Sequence, residues 1–363
     1  MEPPKRPRRG TRNRPPPRYQ ETVVVAEADG WALEPDAPPD PRTEVTFERT
    51  GTIVTTNDSP DVPFDRSINP YRGCEHGCIY CYARPSHAYL DLSPGIDFET
   101  RIVAKAGAAA ILERTFRRRG YAPRPIALGA NTDPYQPAER KLRITRDLLR
   151  VFHAYRHPVT IVTKSAMVVR DADLLADLAR EGLAHVLVSI TSLDPDLALC
   201  LEPRAAAPGK RLRALARLAE AGVPVGVLVS PIVPAVNDGE IEAILSAARD
   251  AGARAAGTIL LRLPREVGPL FEAWLDEHRP KRKARVLSLL RQARGGRLTD
   301  ARFGHRMRGE GPYAELLRAR FRTACARLGL DRDLPPLSCD RFAVPPVPLL
   351  TSDPQLHLPL ADG

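Results

Sequence analysis

Three cysteines fall within eight residues, in the order Cys74-Glu75-His76-Gly77-Cys78-Ile79-Tyr80-Cys81. The C-x3-C-x2-C spacing is too tight for all three to pair as disulfides. No apolar segment of the export type follows the N-terminal basic residues, so ligands are the better reading than bridges. Thiolates are soft donors that select zinc or iron–sulfur clusters. Structural zinc wants four ligands, and His76 or His87 would have to supply the fourth. Three thiolates on a four-iron cluster instead leave one iron open to a small chelating molecule. The spacing favours the cluster, with zinc second and unliganded structural thiols last.

These residues need a scaffold, and the hydrophobic pattern supplies one. Val45-Thr46-Phe47 and Thr52-Ile53-Val54-Thr55 read as short strands, and Thr100 to Arg119 reads as one long helix. Beyond them five β-branched runs alternate with amphipathic stretches: 126–129, 159–162, 186–190, 225–229 and 258–261 as strands, with 138–155, 171–180, 209–221, 239–251 and 267–277 as helices. A strand-to-strand spacing of about 30 residues is that of βα units. The strands are apolar on both faces, as in a buried parallel sheet. Gly182, Gly222 and Gly252 each follow a helical run, where a left-handed cap suits glycine. With one earlier strand near the cysteines, the pattern predicts six units. A doubly wound sheet and a partial barrel both fit that periodicity. Asn131-Thr132-Asp133, Thr163-Lys164-Ser165, Thr191-Ser192 and Ser230 all lie just past strand C-termini, where barrels build their active sites, so a partial (β/α)6 TIM-type barrel is expected.

C-x3-C-x-aromatic-C at the head of a βα barrel, with Tyr80 as the aromatic, resembles the signature of the radical SAM superfamily. Ser67-Ile68-Asn69-Pro70-Tyr71-Arg72-Gly73-Cys74, Cys81-Tyr82-Ala83-Arg84, the run from Asn131 to Pro137, Leu201-Glu202-Pro203-Arg204, and the run from Ser230 to Pro234 with Asn237-Asp238 look like the branch related to spore photoproduct lyase. Within it the best match is the bacterial group labelled DNA repair photolyase-like. The resemblance spans about residues 47–290. It implies that Cys74, Cys78 and Cys81 ligate a [4Fe–4S] cluster whose fourth iron is chelated by S-adenosylmethionine (SAM). Reductive cleavage would give a 5′-deoxyadenosyl radical that abstracts hydrogen from a substrate, which the sequence does not identify and for which nucleic acid is one candidate. The resemblance places Tyr80 beside the adenine and Gly129, Asn131, Thr132 and Asp133 at the SAM amino group. It pairs Lys164 with the SAM carboxylate, sets Ser189 and Thr191 at ribose or methionine, and puts Ser230 beside the adenine. Each has a plainer rival: Asp133 as a turn residue before Pro134, Lys164 as a solvated lysine, Ser189 as a backbone-bonded hydroxyl. Glu202 and Arg204 read as an ion pair or a loop cap. The lyase donates hydrogen from a cysteine near the second-strand motif. Here Ala130 takes that place, which argues against photoproduct lyase chemistry.

Composition frames the rest. The 363 residues are 43% hydrophobic and 27% charged, enough to bury a core, and no run suits a membrane span, so a cytoplasmic location is expected. The formal charge of +10 is unevenly spread: +6 within residues 1–20, +10 within 279–308, and therefore −6 over the remainder. Residues 1–43, rich in Pro and Arg, are expected as a disordered tail able to lie along the body or a partner. The barrel is expected over 44–278, followed by a basic helical segment and a C-terminal extension over 279–363. Clustered arginines suit phosphate, a solvated helix face, or an acidic reductant such as flavodoxin or ferredoxin. Cys200, Cys325 and Cys339 lack a tight ligand pair and read as small buried residues. A reading from another class is a non-catalytic nucleic-acid-binding protein with a zinc knuckle.

Overall fold

The computed structural model describes residues 8–19 and 42–349. Among the described residues ten strands form: β1 (Glu44–Arg49), β2 (Val54–Thr56), β3 (Arg66–Ile68), β4 (Tyr71–Arg72), β5 (Arg101–Ala106), β6 (Ile126–Leu128), β7 (Val159–Thr163), β8 (Ala184–Ser189), β9 (Val225–Ile232) and β10 (Ala255–Leu260). The principal helices are α1 (Ala108–Phe116), α2 (Ile144–Ala154), α3 (Ala172–Arg180), α4 (Pro208–Glu220), α5 (Ile241–Asp250), α6 (Val267–His278), α7 (Pro280–Gln292) and α8 (Gly311–Leu328). No helix among the described residues is long and apolar enough to cross a membrane.

Six strands run parallel in the order β3-β6-β7-β8-β9-β10, with β2 antiparallel on the β3 edge. Spatial order follows chain order without reversal. That is the winding of a barrel wall; a doubly wound sheet would show a switch point. The central strands are apolar on both faces because helices cover one side and the barrel interior fills the other. Val186, Val188, Val225, Val227 and Val229 pack with Leu148, Leu178, Leu215 and Leu245 of the surrounding helices into one core. All six strands therefore deliver their C-terminal ends to one rim. The predicted partial barrel is the fold, and the five strand–helix pairs stand within about three residues of their expected bounds, except that α2 starts six residues late.

Three expectations change. The stretch 100–119 is not one helix. Residues 101–106 alternate between buried and partly exposed, a period of two, and form β5 parallel to β1; Gly107, at φ 65°, then turns the chain into α1. Residues 8–19, expected within a disordered tail, lie along the body with Arg9 and Thr11 buried. Residues 1–7 and 20–41 of that tail lie outside the described residues. Finally, 138–155 is not one helix: Arg143, at φ 54°, separates a short helical turn, Glu139–Leu142, from α2. The basic helical segment expected after the barrel begins with α7. Val286, Leu287 and Leu290 complete a second core with Ile79, Val233, Leu261, Phe271 and Trp274, so α7 buttresses the cysteine loop.

The described part of the C-terminal extension packs across the barrel. Helix α8 lies on α5, and the segment after it crosses the N-terminal ends of the strands. Ser338 N donates to Gly182 O (2.9 Å), Ala343 N to Tyr155 O (3.1 Å) and Arg117 Nη2 to Pro345 O (2.6 Å). Residues 350–363 lie outside the described residues.

Candidate active site at the strand C-termini

The cysteine loop follows β4 and is held by backbone and by one buried arginine. Cys74 N donates to Phe98 O (2.8 Å), Ile79 N to Leu201 O (3.1 Å) and Cys81 N to Cys78 O (3.2 Å). Arg84 is fully buried, and its guanidinium donates to Cys78 O (3.0 Å), Gly95 O (2.9 Å), Gly77 O (3.3 Å) and the Glu99 carboxylate (2.5 Å). Gln136 ties the loop to the second-strand motif, accepting from Glu75 N (2.9 Å) and donating to Gly73 O (3.1 Å). Arg84 and Gln136 lie inside sequence motifs, but their roles emerge only from these contacts.

Cys74 and Cys78 are buried, Cys81 partly so, and none is in a disulfide. Burial raises all three thiols above the ordinary range, and Asp133 adds to the effect at Cys74. Three thiolates in this place need a positive centre, which the irons of a cluster supply. His76 and His87, the candidates for a fourth zinc ligand, turn elsewhere. His76 Nδ1 faces Asp133 Oδ2 at 3.3 Å, and His87 Nε2 lies 3.0 Å from Arg101 O. Among the described residues no three His, Cys, Asp or Glu side chains are grouped as one metal ion would require. Thiolates that each take a different iron of a cluster need no such close group. The donor set fits a cluster. Cys200, Cys325 and Cys339 sit on separate elements, Cys325 inside the main core.

Opposite the loop, the strand ends carry a buried polar network. Lys164, after β7, donates to Ser189 Oγ (2.6 Å) and Ser230 O (3.4 Å), with Glu202 Oε1 at 3.6 Å. Thr191 Oγ1 donates to Glu202 Oε1 (2.5 Å) and lies 3.0 Å from Ser230 O. Tyr80 donates to the same carboxylate, lies 3.2 Å from Thr191 Oγ1, and presents its ring 5.9 Å from Lys164 Nζ. On the other Glu202 oxygen sits the buried Arg211 guanidinium, which also donates to Ser189 O (2.9 Å). Burial opposes the Glu202 charge, but Arg211, Lys164 and the two hydroxyls outweigh it and hold the carboxyl down at about 2. Two cations share one carboxylate. Arg211 is spent on it, so the network keeps a net positive charge at Lys164, which suits the carboxylate of an amino-acid ligand. Ser230 Oγ is buried without a partner and is free to bond a ligand.

The expected site residues thus separate. Tyr80, Lys164, Ser189, Thr191 and Ser230 converge with Glu202. Asp133 reaches the same rim, but its oxygens are already engaged. They accept from Thr163 Oγ1 (2.7 Å), Lys164 N (2.7 Å) and Tyr135 N (2.9 Å) besides facing His76, so Asp133 holds the Lys164 backbone instead of offering a free acceptor. Its carboxyl is lowered although burial opposes the charge, because His76 and these donors stabilise it. Thr132 Oγ1 donates to Tyr71 O (2.8 Å), and Asn69 Oδ1 accepts from the amides of Asn131 (2.8 Å) and Thr132 (3.3 Å); this is packing of the β6 turn. Gly129, at φ 92°, has no room for a Cβ, which would stand 2.6 Å from both Val162 O and Pro134 Cδ, so it serves the turn. Glu202 pairs with Arg211, not Arg204; Arg204 reaches Glu75 (2.9 Å).

The basic segment is partly consumed by the fold. Arg294 is buried and donates to Leu260 O (3.1 Å), Leu261 O (2.6 Å) and Arg306 O (3.1 Å). Arg306 holds Asp61 and Ser59, Arg302 holds Asp300 and Glu310, and Lys283 holds Asp276. Lys281, Arg285, Arg291, Arg297 and Arg308 remain exposed.

Comparison with known proteins identifies the family and the fold. The model of the radical SAM superfamily matches residues 68–248. An uncharacterized protein of Mycobacterium tuberculosis is 34% identical over 294 residues, covering 80% of this chain and 83% of its own. One from Methanocaldococcus jannaschii is 28% identical over 173 residues, 48% of this chain and 62% of its own. Among solved structures, spore photoproduct lyase with bound AdoMet and dinucleoside spore photoproduct is similar in fold, with a TM-score of 0.57 at 17% identity and 78% of each chain covered. With a family model over most of the barrel and the three cysteines at its head, the chain belongs to the radical SAM superfamily, enzymes whose cofactors are a [4Fe–4S] cluster and S-adenosylmethionine.

Proposed function

We propose that Cys74, Cys78 and Cys81 hold the cluster of this enzyme, and that Lys164 and Ser230 anchor SAM between the cysteine loop and the rim of β7, β8 and β9. When bound, the pair supplies a 5′-deoxyadenosyl radical for hydrogen abstraction. The chain's own residues do the positioning. Lys164 offers its cation to the SAM carboxylate while Glu202, Ser189 and Ser230 O hold its amine in place. Tyr80 lies between two of the ligand cysteines with its hydroxyl fixed by Glu202 and Thr191, so its ring is set as a wall of the site. Arg211 keeps Glu202 ionised and unable to donate a proton. The core that α7 completes beneath Cys78, Ile79 and Tyr80 keeps water from that side.

The observation that carries this reading is Lys164, whose charge is left over once Arg211 neutralises Glu202, standing over the Tyr80 ring between the Cys78 and Cys81 thiols. Nucleic acid is the substrate class we favour, on the exposed Lys281, Arg285, Arg291, Arg297 and Arg308, with an acidic flavodoxin- or ferredoxin-type reductant as partner. The test is anaerobic purification, iron and sulfide analysis, and reduction in the presence of SAM. Four irons and four sulfides per chain with release of 5′-deoxyadenosine is the expected result. Loss of both in Cys78→Ala, with Cys200→Ala unaffected, assigns the ligands, and retention of the cluster in Cys78→Ala refutes the assignment.

A further inference from the structure

Residues 8–19 approach the cysteine loop at Gly77 and bond along their length to residues 85–99, the segment that follows the loop. The amides of Gly10 and Thr11 both donate to the buried Glu99 carboxylate, at 2.8 and 3.2 Å, the same carboxylate that takes Arg84. Arg84 in turn holds Cys78 O and Gly77 O, so one buried acid joins the segment to the backbone between two of the cysteines. Arg9 donates to Glu99 O (2.8 Å) and to Thr43 Oγ1 (3.1 Å), and Thr43 donates to Glu75 Oε1 (2.7 Å), beside Cys74.

The fit leaves no space between the two strands of chain. A Cβ on Gly10 would stand 1.8 Å from Gly77 O, one on Gly77 2.6 Å from Glu99 Oε2, and one on Gly95 2.0 Å from Asn13 O. Glycine on both sides lets the backbones touch. Further along, Ile96 N donates to Asn13 O (3.0 Å) and Ser93 Oγ to Pro15 O (2.6 Å). Arg18 then ends the run. It donates to Pro85 O (2.7 Å) on the cysteine-loop side and pairs with Glu266 (2.7 Å) in the loop after β10. Strands β3 and β10 stand at opposite ends of the parallel wall, so Arg18 ties the cysteine side to the far end of an open barrel.

We propose that residues 8–19 are a strap that locks the Cys74–Cys81 loop and covers it from outside, making the N-terminal segment part of the cluster-holding machinery. Its inner anchor is the Arg9–Glu99–Arg84 set and its outer anchor is Arg18. These are positioning residues, which act on the loop and touch neither SAM nor substrate. The proposal rests on the reading that the three cysteines hold the cluster.

The experiment uses the full chain, reconstituted anaerobically, as wild type, Gly10→Val and Arg18→Ala. Two properties are read: the rate at which visible cluster absorption bleaches in air, and the midpoint potential of the cluster. Losing one charge-assisted anchor raises the open population, so bleaching is expected to quicken about tenfold in Gly10→Val and by a smaller factor in Arg18→Ala. The potential should rise, because water reaching the cluster favours its more highly charged reduced form. If Gly10→Val does not fold, Arg18→Ala decides, since no buried atom must move to accept it. A wild-type chain without iron and sulfide overturns the cluster assignment and the strap together. A wild-type chain that holds them, with variants unchanged in bleaching and potential, overturns the strap alone.

Discussion

At the scale of single residues, the site turns on the sharing of one carboxylate by two cations. Glu202 is fully buried and ionised because Arg211 and Lys164 flank it, yet Arg211 alone neutralises it. The two cations therefore have different roles. Replacing Lys164 with Met removes the charge offered to the ligand and leaves the Glu202–Arg211 pair intact. SAM affinity, read by calorimetry on the anaerobic protein, should fall by about 1.5–3 kcal/mol, at least tenfold, with little change in thermal stability. Glu202→Gln leaves the Arg211 guanidinium buried without its anion and should cost about 3–5 kcal/mol of stability. Equal loss of stability in both variants would contradict the division. Neither Glu202 nor Arg211 was legible as a pair, because they are nine residues apart across a loop and Arg204 stands closer in sequence.

At the scale of elements, the bottom of the barrel shows how the C-terminal segment closes what the strands leave open. His157, just before β7, is buried; its ring stacks on Phe116 (4.3 Å, 7° between planes), its Nε2 meets Tyr121 Oη at 2.8 Å, and Phe342 from the C-terminal segment packs edge-on. Burial lowers its pKa to about 3. A histidine kept neutral in the fold but free to protonate when unfolded contributes fully above the unfolded pKa of about 6.5 and loses that contribution as pH falls toward 3. Unfolding free energy should therefore drop by up to about 1.4 kcal/mol per pH unit across that window from this group, and His157→Phe should flatten the drop. An unchanged slope in denaturant titrations at pH 6 and 4.5 would refute it. The site lies at the opposite rim, so SAM binding should be unaffected. The one element misread outright, 101–106, has strand periodicity next to an alanine-rich helix, and helix propensity masked it. Only pairing with β1 reveals a strand there.

For the molecule as a whole, the net charge is divided between structure and surface. Arg294, Arg302 and Arg306 are tied to carbonyls and carboxylates, whereas Lys281, Arg285, Arg291, Arg297 and Arg308 face solvent. If the enzyme takes nucleic acid, the exposed group carries the phosphate contacts. Binding of a short oligonucleotide should then weaken with salt, and Arg285→Gln with Arg291→Gln should reduce the log–log slope by about 2. Affinity insensitive to salt would remove nucleic acid as the substrate class. The same charges would serve an acidic reductant, and a double variant that loses reduction by flavodoxin but not by dithionite would identify that role instead.

Sequence alone was sufficient for the superfamily and the barrel, because ligand spacing and the βα period are local: Cys74, Cys78 and Cys81 need only a short loop, and each strand–helix pair signals its own type. It also put Lys164, Ser189, Thr191 and Ser230 on one rim, since residues after successive parallel strands must meet there. What it left undecided was which of these are free for a ligand. Asp133 and Gly129 look like cofactor contacts in sequence, yet the first is spent on Thr163, Lys164 and Tyr135, and the second on a turn with no room for a side chain. Partner choice across 60 or 90 residues, as when Glu99 takes both Arg84 and the amides of Gly10 and Thr11, is a property of packing. The tertiary structure decided it, because burial obliges every charge and amide to find a partner, and only the fold fixes which partners are within reach.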